Sequence, residues 1–259
     1  MRVIIERIFA DYDPWLLVPT LTAAMFATWG AGWWLGCRTR THHDVRSVSK
    51  FDDASLALVG LLLAFSFGMS FDKHERRREM VIADSNSIGD FYTCASLLKE
   101  PIRGQLQAAI REYLELRVEF VRQGMSPASL DVAIQRSQRM QATMTDLVSQ
   151  ALNNGTPIAV SLTNTLNALT SNHAARLAAA RDRLPSSIVM LLFVAAVMST
   201  MLVGREQGMA GRPEISGTVV FILLLTLTVY VTLDLNRPQS GMIVVDQTPM
   251  QQLLLSLDK

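Results

Sequence analysis

Apolar and polar residues fall along this chain in long blocks, not in short alternations. Four blocks, residues 15–37, 54–71, 186–204 and 215–235, hold almost no charge and meet the roughly 17–25 apolar residues that a membrane helix needs. Helices are the form expected for them, because lipid leaves no backbone hydrogen bond unpaired. The second block is barely long enough, roughly 27 Å at helical rise. The fourth carries one ionisable group, Asp234, in its last turn. Residues 72–185 read differently, as charged helices with one apolar face. In 74–99 the apolar face is Val81, Ile88, Phe91, Ala95 and Leu98; Pro101 and Gly104 break it. In 105–122 it is Leu106, Ile110, Tyr113, Leu114, Val118 and Val121, closed by Gly124. Ser126-Pro127 starts a further helix through residue 152, and Asn153-Asn154-Gly155 is a turn. In 157–184, Leu162, Leu166, Leu169, His173, Leu177, Ala180 and Leu184 form a stripe that packs on other helices or on another subunit.

The pattern predicts an all-α membrane protein with four transmembrane helices and a helical cytoplasmic domain between spans two and three. Its divisions are an amphipathic N-terminal segment (1–14), spans one and two (15–71), the cytoplasmic domain (72–185), spans three and four (186–235) and a cytoplasmic tail (236–259). In the first of these, Val3, Ile4, Ile5, Ile8, Phe9 and Tyr12 share one side of a short helix suited to a membrane surface. A cleaved signal peptide competes for the first span, but its length and the preceding Glu6, Asp11 and Asp13 argue against cleavage. Trp15 at one end and Trp33 and Trp34 at the other read as an interfacial belt.

Composition sharpens this. Of 259 residues 49% are hydrophobic and 18% charged, against about 25% charged in soluble domains. The net charge of +1 excludes a broadly basic nucleic-acid binder. Near the span ends, Arg2, Arg7, Lys73, Arg76, Arg77, Arg78, Arg176, Arg181, Arg183 and Arg237 lie on one side. Arg38, Arg40, Arg46, Lys50, Arg205 and Arg212 lie on the other. The excess places both termini and the middle segment in the cytoplasm of a multi-pass inner-membrane protein, although the first loop pulls locally the other way. Neither the histidines (His42, His43, His74, His173) nor Cys37 and Cys94 fall at metal-ligand spacing. Nucleophile elbows, P-loops and dinucleotide fingerprints are missing as well. The expectation is a protein without metal, cofactor or catalytic residues, and not an enzyme.

The second span carries the most suggestive chemistry. Leu63, Phe67 and Phe71 are four apart, with Ser66, Ser70 and Lys73 in an adjacent, more polar row. One reading has the phenylalanines packing on neighbouring helices and the serines bonding to backbone. The other has several copies facing a shared axis, where Leu63, Phe67 and Phe71 narrow a pore neck and Ser66 and Ser70 flank it. The basic run Lys73, Arg76, Arg77 and Arg78 would then concentrate anions at the cytoplasmic mouth, or else anchor the chain to lipid headgroups.

Several motifs together resemble the bacterial bestrophin-like membrane proteins, distant relatives of the bestrophin anion channels. They are Leu63-Ala64-Phe65-Ser66-Phe67, Arg76-Arg77-Arg78, Asp84-Ser85-Asn86-Ser87-Ile88-Gly89, Ile110-Arg111-Glu112-Tyr113, Arg181-Asp182-Arg183-Leu184-Pro185, and Leu233-Asp234-Leu235-Asn236-Arg237-Pro238 with Gly241. They occur in order from about residue 50 to the end. The resemblance implies a pentameric, chloride-type channel with four spans per subunit, cytoplasmic termini and a neck on the second span. In this chain Asp-Ser-Asn-Ser-Ile-Gly replaces the usual Glu-Ala-Asn-Ala-Ile-Gly, and no late acidic run resembles a calcium clasp. The family-motif residues Asp84, Asn86 and Gly89 have two readings: Asn86 and Ser87 tie neighbouring helices together where Gly89 allows close approach, or Asn86 and Ser85 offer amide and hydroxyl donors to an anion. Asp234 and Arg237, three apart, read as a local ion pair. The leading functional reading is an oligomeric anion channel whose partners are lipid, its own copies and anions. The alternative is a non-conducting membrane scaffold whose cytoplasmic helices bind a partner protein.

Overall fold

The computed structural model describes residues 14–39, 45–122, 127–237 and 241–257. The stripe expected at 3–12 and the cap at Ser126 lie outside them. Every regular element among the described residues is a helix. We number them α1 (Pro14–Arg38), α2 (Val45–Ser96), α3 (Ile102–Arg122), α4 (Pro127–Asn153), α5 (Ala159–Arg181), α6 (Ser186–Ala210), α7 (Ile215–Leu235) and α8 (Thr248–Leu257). Three stretches contain helices long and apolar enough to cross a membrane: Asp53–Ser96, Ala159–Ala210 and Ile215–Leu235. Where a first span was expected at 15–37, α1 forms a continuous helix of 25 residues. Its threonines, glycines and tryptophans dilute its apolarity, and it is not among those three.

The span expected at 54–71 and the apolar face expected in 74–99 lie on α2, one continuous helix of 52 residues. Asp72–Glu79 changes the solvent the helix prefers without breaking it, since Lys, Arg and Glu are good helix formers. The chain divides into two compact units. One comprises Met1–Lys73, Arg183–Arg237 and Gly241–Ile243; the other comprises His74–Asp182, Pro238–Ser240 and Val244–Lys259.

In the first unit α1 and α6 run parallel at very close range. Gly32 and Gly36 of α1 lie against the carbonyl oxygens of Met201 and Arg205, and Gly204 and Gly208 of α6 lie against those of Trp29 and Trp33. A methyl group at any of the four would collide with backbone. This is small-xxx-small packing on both partners, which brings backbones together where no hydrophobic effect drives helix association. Hydroxyls and amides finish the seam. Thr28 and Thr200 share a hydrogen bond of 2.9 Å, and Trp29 Nε1 donates to Gln207 Oε1 at 3.1 Å. The Gln207 amide donates on to Thr218 of α7 at 2.9 Å, and Thr22 meets Thr226 of α7 at 3.2 Å. Leu21, Met25, Leu63, Val189, Leu192, Ile222 and Val229 fill the core of this unit.

The second unit has its own core, built from Ile88, Phe91, Leu106, Ile110, Tyr113, Leu114, Met144, Leu162 and Leu169. The stripe on α5 is spent here: Leu162, Leu166, Leu169 and His173 are all buried within the chain. Helix α8, which the sequence reading left in an undivided tail, adds Met250 to the core, with Leu253 and Leu254 packed against it.

Candidate functional site

The proposed neck row divides. Phe67 and Phe71 are 39% and 50% exposed on the single chain, and their rings stack at 6.5 Å between centroids with 20° between planes. Leu63 is buried, packed in the core of the first unit. The reason is helical drift: residues four apart advance by about 40° at 3.6 residues per turn, so Leu63 and Phe71 sit about 80° apart. Leu63 is therefore a packing residue in the protomer. Ser66 and Ser70 are buried too, not set beside the exposed rings. The Ser66 hydroxyl donates to the Leu62 carbonyl at 2.7 Å, which makes its burial inexpensive. The Ser70 hydroxyl is buried without a partner. Along the apolar window of this helix only 17% is buried by the rest of the chain, and Leu58, Leu61, Phe65 and Met69 are exposed along with the two phenylalanines.

The basic run divides as well. Arg76 and Arg78 are exposed and Lys73 half-buried. Arg77 is buried, with Nε donating to the Ala179 carbonyl at 3.1 Å and Nη2 to that of Asp182 at 2.6 Å. It caps the carbonyl end of α5, where a cation is favoured. Expected among the anion-attracting side chains of the basic run, Arg77 is by its burial a structural cap instead. Arg78 pairs with Glu75 at 3.1 Å on the surface.

Asp84 stands at the centre of a buried charge cluster in the second unit. Its Oδ2 accepts hydrogen bonds from Arg117 Nη2 of α3 and from Arg176 Nη1 of α5, the latter at 2.9 Å. Arg117 Nη1 lies 2.6 Å from His173 Nδ1. A guanidinium only donates, so Nδ1 must offer its lone pair and the ring proton sits on Nε2. Arg176 Nη2 donates to Gln247 Oε1 at 2.7 Å. The Tyr113 ring stands edge-on to His173 at 6.2 Å and lies under the Arg117 guanidinium at 5.8 Å. Burial, then the adjacent Arg117 charge, pushes the His173 pKa down to about 4. The imidazole is thus neutral at physiological pH. Burial also lowers Arg176 and raises Tyr113 from their usual values.

The rest of that motif serves helix contacts. Ser85 Oγ donates to the Pro249 carbonyl at 3.1 Å and Ser87 Oγ to the Asp84 carbonyl at 2.9 Å. Gly89 faces Leu253 of α8 so closely that a Cβ would stand 3.3 Å from its Cδ1. Asn86 is exposed. At the end of α7, the buried Asp234 carboxylate accepts the backbone N–H groups of Met242 at 3.0 Å and Ile243 at 2.9 Å, and the Arg237 N–H bonds to the Asp234 carbonyl at 3.0 Å. Asn236 Oδ1 accepts the Leu184 N–H at 2.6 Å, which joins the last two sequence motifs.

A model of the bestrophin-like domain matches residues 32–250. The chain belongs to the bestrophin-like family. Neither the curated proteins nor the solved structures supply a match to it. Within this bestrophin-like chain Asp84, the first residue of the Asp-Ser-Asn-Ser-Ile-Gly motif, is the α2 contribution to the ionic core of the second unit. Its partners Arg117, His173 and Arg176 were not grouped by the sequence reading, because no local spacing links residues on three different helices. The glycine seam did leave a signal: Gly32/Gly36 and Gly204/Gly208 repeat at four residues inside apolar helices.

Proposed function

We propose that this bestrophin-like protein is a homo-oligomeric anion channel of the chloride type, a pentamer by the precedent of bestrophins, with α2 lining the pore. Its place is the inner membrane, with the termini and residues 72–185 in the cytoplasm. The observation that carries the reading is the exposed Phe67–Phe71 stack on a span that the protomer leaves largely uncovered. Aromatic edges carry partial positive charge, and an apolar ring gates by dewetting. Lys73, Arg76 and Arg78 follow on the same helix and raise the local anion concentration at the cytoplasmic mouth. Leu63, Ser66, Ser70 and Arg77 have no place on this pore surface, since each is buried in the protomer.

Four spans fit the α1–α6 seam. Contacts that rise together from Thr28–Thr200 to Gly36–Gly208 make the two helices parallel. If α6 and α7 cross as a hairpin, α1 crosses in the direction of α6, and α2 supplies the return. The test is chloride efflux from liposomes reconstituted with purified protein under a clamped potential. Efflux above protein-free vesicles supports the channel. A folded oligomer that gives none leaves the non-conducting scaffold.

A further inference from the structure

Asp234, Gly241 and Met242 form an arrangement that the channel reading does not use. Helix α7 has 21 residues, about 32 Å at 1.5 Å per residue, close to the hydrocarbon thickness of about 30 Å. Asp234 in its last turn therefore lies near the boundary between acyl chains and headgroups. A carboxylate buried at that depth is costly unless hydrogen-bonded, and the N–H groups of Met242 and Ile243 supply the bonds. Gly241 makes the approach possible: its φ is +143°, and a Cβ there would strike the Asp234 carboxylate. The bonds hold the backbone of Met242 at the depth of the Asp234 side chain, yet the Met242 side chain is 78% exposed, the most exposed of the large hydrophobic residues described. Val244, two residues further on, is 52% exposed.

We propose that the segment from Gly241 is a lipid-interface anchor, in which Asp234 fixes the backbone at the end of α7 and Met242 enters the bilayer at the base of the headgroups. Depth argues for lipid as the occupant. The segment continues a spanning helix whose Leu223, Leu224 and Leu227 are exposed in the same way, and an unbranched, adaptable thioether suits a fluid surface.

The test is a nitroxide label at Met242→Cys in full-length protein carrying C37S and C94A, reconstituted in phosphatidylcholine/phosphatidylglycerol vesicles. Collisions with dissolved oxygen should exceed those with a water-soluble nickel chelate, as at other interfacial positions, with Leu224→Cys on α7 as the lipid-depth reference and Val132→Cys as the aqueous one. Adding Asp234→Asn should free the segment and move the label towards the chelate. A chelate-dominated label in the otherwise unaltered background overturns the anchor. So does a label shielded from both agents, which would put a second copy over Met242. The first measurement does not require the Asp234 variant to fold.

Discussion

Asp84 on α2 and Arg117 on α3, 33 positions apart, meet in an ion pair in which the carboxylate is fully buried and the guanidinium only 10% exposed. Arg176 joins from α5 on the same carboxylate oxygen, so one acid binds two cations and three helices. Such an arrangement contributes little over a well-packed apolar core, but removing one member leaves charge buried without a partner.

Asp84→Ala should therefore be among the most disruptive single changes in the second unit, costing about 3–5 kcal/mol by precedent for broken buried pairs. Arg176→Met should cost less, because Asp84 keeps Arg117. Thermal unfolding of detergent-purified variants checks the order. Equal, small shifts would mean that the cluster is hydrated and loosely held.

The same cluster predicts sensitivity to acid. His173 has its folded pKa depressed to about 4 from 6.5, first by burial and then by Arg117. The unfolded chain binds the proton more readily, so stability due to the neutral imidazole is complete above pH 6.5 and declines as pH falls towards 4. At 1.36 kcal/mol per pKa unit the loss is about 3 kcal/mol at most. His173→Gln should flatten the dependence of melting temperature on pH between 6.5 and 4. An unchanged slope would assign the acid response to other groups.

The α1–α6 seam predicts position-specific intolerance to a single methyl group. Gly204→Ala must push against the Trp29 carbonyl, whereas Gly60→Ala on α2 meets nothing within 4 Å. Gly204→Ala should lower thermal stability or yield of folded protein. Gly60→Ala should be neutral or stabilising by up to about 1 kcal/mol, as expected where glycine in a helix is replaced without a clash. Similar behaviour of the two would mean that the helices do not approach at the distance described.

How much of this was legible beforehand depended on whether the signal was local. Helix α7 lies at the residues that hydropathy indicated, because composition alone marks an apolar block bounded by Glu214 and Asn236. Helix α4 begins at Pro127 and ends at Asn153, where a proline and an Asn-Asn-Gly turn punctuate the sequence. The join inside α2 is a change of composition only, since nothing from Asp72 to Glu79 stops a helix. Leu63 was misplaced because a row of residues four apart drifts around the helix. The Asp84 cluster was beyond a reading of spacing altogether: its members come from α2, α3 and α5 and the residues before α8, and only folding brings them together.

The central claim is that anions pass along the exposed phenylalanine row of α2. Its most direct test is chloride flux through liposomes bearing F67A/F71A beside the unsubstituted protein, with oligomeric state and thermal stability measured on the same preparations. If these rings narrow a dewetted neck, truncating them lowers the cost of carrying a hydrated ion through, and flux should rise severalfold while the oligomer persists. A stable oligomer with unchanged flux would contradict the account and remove Phe67 and Phe71 from any conduction path.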